Sequence, residues 1–137
     1  MDEFQLLEDV ARRQANRYWG KYRGNVTNTE DPENRGRIQV TVPSVLGDNQ
    51  SQWAEPAFPY GGGPDFGFVA VPPVDSMVIV EFLEGDPSAP IWTGTFWRPS
   101  DEVPAEYTGQ QTKLLLSLIH ISEPTRRRDS SRMPSSA

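Results

Sequence analysis

The stretch that decides the fold is residues 77–97, which read MVIVEFLEGDPSAPIWTGTFW. Two apolar runs, at 77–83 and 91–97, flank a turn at 84–90 that contains Gly, Asp and two prolines. Runs of β-branched and aromatic residues bounded by such turn residues are typical of β-strands. Residues 77–97 therefore predict two strands of one hairpin, joined by a long loop.

Four shorter runs upstream also predict strands, at residues 22–27, 37–42, 52–57 and 66–71. Residues 37–42 alternate apolar and polar side chains, which places every second residue on the core face. Five or six short strands separated by turn residues predict a mainly β fold, a small closed or nearly closed barrel. The residues expected in its core are Ile38, Val40, Val42, Met77, Ile79 and Ile91.

Residues 1–20 predict one N-terminal α-helix, from residue 2 to residue 18. Its apolar stripe follows the 3–4 residue spacing of a helix face, at Phe4, Leu7, Ala11, Gln14 and Tyr18. Acidic residues at its start and arginines near its end match the helix dipole, and Gly20 predicts its end. Two interpretations remain open: the stripe packs on the protein's own barrel, or it docks on a neighbouring subunit.

Residues 116–137 do not read as part of a natural protein. LSLIHISEPTR at 116–126 resembles the in-frame translation of an adaptor used in transposase-based sequencing libraries, and SRMPSSA at 131–137 resembles its distal part in the same frame. A Ser/Arg-rich disordered tail is the alternative. We therefore expect the native part to end near Leu115, with its natural C-terminus missing, and the tail to contribute nothing to the fold.

Without this tail the net charge changes from −6 to −8, because four arginines and two acidic residues are left out. Such an acidic chain does not suit general binding to nucleic acid, which depends on Lys and Arg neutralising phosphates. The only histidine, His120, lies in the tail and the chain has no cysteine, so no disulfide, thiolate metal site or nucleophile–base pair can be assembled. No signal peptide or membrane span is predicted.

Three residue groups could carry chemistry, and each has a simpler interpretation. Glu81, Glu84 and Asp86 could include a glycosidase pair of carboxylates, but their position in and beside a turn favours a solvated loop. Scattered acidic residues match no dense calcium-binding loop. A third group could stack single-stranded bases, although core and inter-subunit packing is favoured: Trp53, Phe66, Phe68, Trp92, Phe96 and Trp97. We expect no cofactor, no metal and no catalytic residue.

Five blocks in order carry a resemblance to a known family: residues 22–26, 36–43, 52–54, 67–72 and 85–94. Together they resemble the N-terminal oligonucleotide/oligosaccharide-binding (OB) type barrel of phage baseplate spike proteins, baseplate assembly protein V. The same barrel occurs in the valine-glycine-repeat spike of type VI secretion. The resemblance covers residues 21–97 and implies an OB-like Greek-key barrel of five or six strands, preceded here by one helix.

The resemblance implies a structural, non-enzymatic part of a homotrimeric spike that joins the tail hub to a membrane-piercing tip. Its place would be the virion tail baseplate, assembled in the bacterial host cytoplasm, with sister subunits and hub proteins as partners, without nucleic acid or stable membrane insertion. Residues 98–115 would be a linker, with residues 112–115 as a possible first strand of a missing needle. The candidate partner-binding residues are Phe4, Leu7, Ala11, Tyr18, Trp92 and Trp97.

Two other functions stay open at this point. The chain could be the N-terminal part of a baseplate lysozyme whose hydrolase domain is missing, since lysozyme-like domains follow some barrels of this family. It could also be an OB domain that binds nucleic acid or oligosaccharide.

Overall fold

A computed structural model describes residues 2–118 of the chain. The chain divides into two units, one through Phe96 and one from Trp97 onward. Most of the tail assigned to an adaptor, residues 119–137, lies outside the described residues. In the second unit, the described part contains one 3-10 turn at Ser100–Glu102. Residues 112–115 are not in a strand there, and their role in a needle stays a prediction.

The first unit contains two helices and five strands. Helix α1 spans Glu3–Ala15 and the short helix α2 spans Pro43–Leu46. A 3-10 turn at Leu83–Gly85 follows the fourth strand. The strands are β1 at Tyr22–Asn28, β2 at Gln39–Thr41, β3 at Glu55–Pro56, β4 at Met77–Phe82 and β5 at Pro90–Thr95.

The five strands form a single sheet that curls into a closed ring. Their order is β2-β1-β4-β5-β3, and β3 runs parallel to β5 while the other neighbours are antiparallel. Ile38 and Ala54 join the two edges, because the N–H of each donates to the carbonyl of the other at 3.1 and 2.7 Å. The predicted OB-like barrel with one N-terminal helix is confirmed, with five strands.

The predicted hairpin is confirmed as β4 and β5, whose register runs from Val78↔Thr95 to Phe82↔Pro90. At the turn, Asp86 Oδ1 accepts hydrogen bonds from the backbone N–H and the hydroxyl of Ser88, and these bonds lower the pKa of Asp86. Gly85 has a positive φ of 76° and packs under Trp19. Only glycine suits this position, since a Cβ would lie 3.0–3.2 Å from Arg17 and Trp19.

The core lies inside the ring, and most of its side chains come from the strands. Its buried members are Val26, Ile38, Val40, Val42, Ala54, Val78, Val80, Phe82 and Trp92. The predictions for Ile38, Val40 and Val42 are confirmed. Those for Met77, Ile79 and Ile91 are wrong, because β4 and β5 present their alternate residues to the core and leave these three partly exposed on the outer face.

Three predicted elements differ in the structure. Residues 66–71 form no strand, because the ring already closes between residues 38 and 54 and leaves them no edge to pair with. The strand predicted at 52–57 is reduced to Glu55–Pro56. Pro43 does not simply end a strand; it starts α2, where its fixed φ and missing N–H are tolerated.

Candidate partner-binding surfaces

Helix α1 presents its apolar stripe to solvent. The backbone N–H of Gln5 donates to Asp2 Oδ1 at 2.8 Å, which caps the start of the helix. Phe4 is 69% exposed and Leu7 67%, and Leu6, Val10 and Ala11 are also exposed. A run of large exposed apolar side chains is typical of a binding surface. Of the two interpretations, packing on the protein's own barrel does not hold for these residues.

Tyr18 does not belong to this stripe, because α1 ends at Ala15 and not at residue 18. Its backbone N–H donates to the carbonyl of Gly85 at 2.8 Å. Its ring lies 6.3 Å from Tyr22 and 6.2 Å from Phe82, centroid to centroid. Tyr18 therefore attaches the N-terminal segment to the barrel, and its ring contacts the core.

The two candidate tryptophans have opposite environments. Trp92 is 5% exposed, its ring meets Phe58 edge-on at 5.3 Å, and its Nε1–H donates to the carbonyl of Gly36 at 3.1 Å. Its side chain is thus part of the core, which removes it from the candidates for partner contact. Trp97, in the second unit, is 57% exposed and stays a candidate.

The β3–β4 loop, residues 57–76, carries a second exposed apolar surface that the sequence pattern had assigned to a strand. Val69 is 74% exposed, and Phe66, Phe68 and Val71 are exposed as well. The loop has local order: the N–H of Phe68 donates to the carbonyl of Tyr60 at 2.9 Å, and the rings of Tyr60 and Phe66 lie 5.3 Å apart. An uncharged apolar run between glycines and prolines was the available signal in the sequence.

The β1–β2 loop, residues 29–38, is held by a buried ion pair that sequence reasoning missed. The Asp31 side chain is 4% exposed, and Arg37 Nη2 lies 2.7 Å from its Oδ1. The backbone N–H groups of Glu33, Arg35 and Arg37 also donate to this carboxylate. The Arg37 guanidinium lies over the Trp53 ring at 5.6 Å. Hydrogen bonds from the Arg37 side chain, then those from the backbone, hold the pKa of Asp31 well below its usual range, although burial opposes them.

We expect Asp31→Asn to lower the melting temperature by several degrees at pH 7, because it removes the carboxylate that pairs with Arg37. The folded pKa of Asp31 is depressed, so the stability it contributes is present above its ordinary pKa of 3.8 and is lost as the pH falls towards the folded value. The gap between wild type and variant should be constant from about pH 7 to 5 and should narrow below about pH 4.

Melting curves at several pH values, followed by circular dichroism, measure this gap. Glu33→Gln is the matched control, since the Glu33 side chain is 59% exposed and its removal should have little effect. A gap between wild type and Asp31→Asn that stays constant down to pH 3 would contradict the assignment.

Two acidic residues near the hairpin turn, Glu81 and Asp86, contact different partners. Glu81 pairs with Lys21 at 3.3 Å, and Asp86 is engaged by Ser88. Across residues 2–118, no group of three or more His, Cys, Asp or Glu side chains is placed to hold a metal ion. No helix in this described part of the chain is both long and apolar enough to cross a membrane.

Comparison with known families gives a match over the barrel. The family model of the Type VI secretion system/phage-baseplate injector OB domain matches residues 22–97, which is more than half of the 137-residue chain. The match begins at the first residue of β1 and ends shortly after β5. Helix α1 lies outside it.

Several curated proteins are similar to the chain over part of its length. The Type VI secretion system spike protein VgrG3 of Vibrio cholerae is 34% identical over 88 residues, which are 61% of this chain and 9% of that protein. The actin cross-linking toxin VgrG1 of Vibrio cholerae is 32% identical over 61% of this chain and 8% of its own length. The spike protein VgrG5 of Pseudomonas aeruginosa is 41% identical over 48% of this chain and 8% of its own. The chain spans under a tenth of the length of these relatives.

Proposed function

Because the chain belongs to the family of Type VI secretion system and phage-baseplate injector OB domains, we propose that it is a structural subunit of an injection spike. Its barrel would act as a rigid adaptor that joins the tail hub to a membrane-piercing tip and transmits axial force between them. The family match over the whole closed barrel is the main support for this role.

The barrel's construction supports a rigid, load-bearing role. Hydrogen bonds between Ile38 and Ala54 close the ring, so no long edge is left to open. The β1–β2 loop is pinned from two sides, by the pair of Asp31 with Arg37 and by the bond from Trp92 to the Gly36 carbonyl. Close packing and satisfied polar groups resist deformation.

In the proposed assembly the chain forms a homotrimer in the tail baseplate of a virion or a related contractile device, with sister subunits and hub proteins as partners. Phe4, Leu7, Ala11 and Trp97 supply the exposed contacts. The barrel itself performs no catalysis in this proposal, and any hydrolase domain of the full protein would lie outside this chain. A small barrel offers only a limited contact area, and interfaces below roughly 1,200 Å² tend to be transient. The barrel alone therefore associates weakly, and the native continuation stabilises the trimer.

Light scattering after size exclusion tests this assembly. We expect the chain to be mostly monomeric in dilute solution and trimeric when it is expressed with its native downstream sequence. In the same preparations, zymography on cell-wall substrate and titration with a fluorescent single-stranded oligonucleotide should show neither lysis nor binding by the chain alone. If the chain with its native downstream sequence stays monomeric at micromolar concentration, the spike proposal is wrong. Lysis of the cell-wall substrate by the chain alone that depends on Glu81 or Glu84 would also overturn it.

A further inference from the structure

Helix α1 turns polar side chains, not its apolar stripe, toward its own barrel. A cleft of about 480 Å³ lies between the helix and the hairpin turn, and it is lined by Asp9, Arg12 and Asn16 on one side and by Asp86 and Pro87 on the other. Among the described side chains of the helix, all but Asp9 are exposed. A helix that packs on its own domain ordinarily turns its apolar side inward. Packing of α1 itself therefore does not hold it against the barrel.

The strap, residues 16–20, joins α1 to β1 and supplies the attachment that the helix lacks. The N–H of Tyr18 donates to the carbonyl of Gly85 at 2.8 Å, and the Tyr18 ring lies at the margin of the core, 6.2 Å from the ring of Phe82. Within residues 2–118, no other backbone–backbone hydrogen bond joins the strap to the barrel. The position of α1 therefore depends on the contact of Tyr18 with the hairpin turn.

Gly85 is the residue of the turn on which the strap closes. It is buried, and its φ is 76°, a value that favours glycine. A Cβ added there would lie 3.0 Å from the Cβ of Arg17 and 3.2 Å from the ring of Trp19. The strap can therefore sit this close to the turn only because residue 85 has no side chain.

The ring of strands closes without the strap. Hydrogen bonds between Ile38 and Ala54 join its edges, and β1 begins at Tyr22, beyond the strap. The family match also begins at Tyr22. No residue of the strap is buried. Segments with few buried contacts open at a lower free energy than the domain as a whole, and they open as separate units.

We propose that the strap opens as a unit of its own and releases α1 from the hairpin turn while the ring of strands stays closed, and that the contact with Gly85 holds it shut. In the open state the hydrogen bond from Tyr18 is broken, and α1 moves with the strap to positions that this bond forbids. The device uses contacts of the first unit alone. It adds a movable element to a rigid barrel, whatever larger assembly the chain belongs to.

Hydrogen exchange of the full chain, followed by NMR, tests whether the strap opens separately. The N–H of Ala54, which donates to Ile38 across the ring closure, is the reference. We expect the protection factor of the Tyr18 N–H to be at least about tenfold lower, because only the strap has to open. Low concentrations of urea should accelerate exchange at Ala54 and hardly change it at Tyr18, since local opening exposes little surface. Equal protection with equal urea dependence would mean that the strap opens only with the whole barrel, which overturns the proposal.

Gly85→Ala tests the contact that holds the strap shut, and Gly47→Ala is its matched control. Both glycines have a positive φ, 76° and 62°, so both changes strain the backbone. An added Cβ meets the strap at Gly85 and nothing within 4 Å at Gly47. We expect Gly85→Ala to remove the protection of the Tyr18 N–H and to speed trypsin cleavage after Arg17 at least about fivefold, because an open segment is accessible to protease. Ala54 should stay protected, and Gly47→Ala should leave Tyr18 protected.

Trp19→Ala gives a second test without backbone strain. Trp19 is 68% exposed, so the variant should fold, and it removes the ring that covers Gly85. The protection of the Tyr18 N–H should fall at least about threefold, while that of Ala54 stays unchanged. Unchanged protection of Tyr18 in both Trp19→Ala and Gly85→Ala would show that Gly85 does not hold the strap. A parallel loss at Tyr18 and Ala54 would show that the strap and the barrel open together. Either result overturns the proposal.

Discussion

Replacing Trp92 with alanine should lower the free energy of unfolding by about 3–5 kcal/mol, the cost expected for truncating a large buried aromatic residue. Trp92 is in the core, meets Phe58 edge-on and donates to the Gly36 carbonyl at 3.1 Å. The variant therefore loses apolar burial, leaves a cavity and removes the bond that ties the β1–β2 loop to β5. Urea unfolding followed by circular dichroism measures the loss.

Trp97→Ala is the matched control for this change. Trp97 is more than half exposed, so the same truncation should cost less than about 0.5 kcal/mol. If Trp92→Ala does not fold, Trp92→Phe keeps part of the ring volume and should still be clearly less stable than Trp97→Phe. Equal costs for the two tryptophans would contradict the placement of Trp92 in the core.

Ile38→Ala should cost about 2–5 kcal/mol, because Ile38 is fully buried and sits where the ring closes against Ala54. Ile79→Ala makes the same chemical change on the outer face of β4, where the side chain is partly exposed. Its cost should be smaller by at least about 1 kcal/mol, since less apolar area returns to water. Chemical unfolding of both variants gives the comparison. A larger loss of stability for Ile79→Ala than for Ile38→Ala would contradict the placement of Ile79 on the outer face of β4.

The alternation of polar and apolar residues decides for which strands the buried face follows from the sequence. At residues 37–42 polar side chains alternate with apolar ones, so the inward face of Ile38, Val40 and Val42 could be read directly. Residues 77–80 are all apolar, and a run without polar residues does not tell one face from the other. Pairing of β4 with β1 and β5 decides which face of β4 is buried. A bulge at Thr93, between the pairs Ile79↔Gly94 and Val80↔Trp92, bends the sheet.

The candidate surfaces also combine features set by nearby residues with features set by contacts distant in sequence. The stripe at Phe4, Leu7 and Ala11 follows from helical spacing, a local property, and the structure keeps it on one exposed helix. The end of α1 and the separate role of Tyr18 depended on a hydrogen bond to Gly85, far away in sequence. The apolar run at 66–71 has the composition of a strand, but strand formation also needs a neighbouring strand to pair with.

The sequence by itself determined the hairpin at residues 77–97, the apolar stripe of α1, the inward face of residues 37–42 and the resemblance to spike barrels, because each depends on residues close together or on the order of short blocks. Only the tertiary structure decided how the ring closes, which face of β4 is buried, that Trp92 is core while Trp97 is exposed, and that Asp31 meets Arg37. These features depend on contacts between distant segments, and such contacts exist only after the chain has closed on itself.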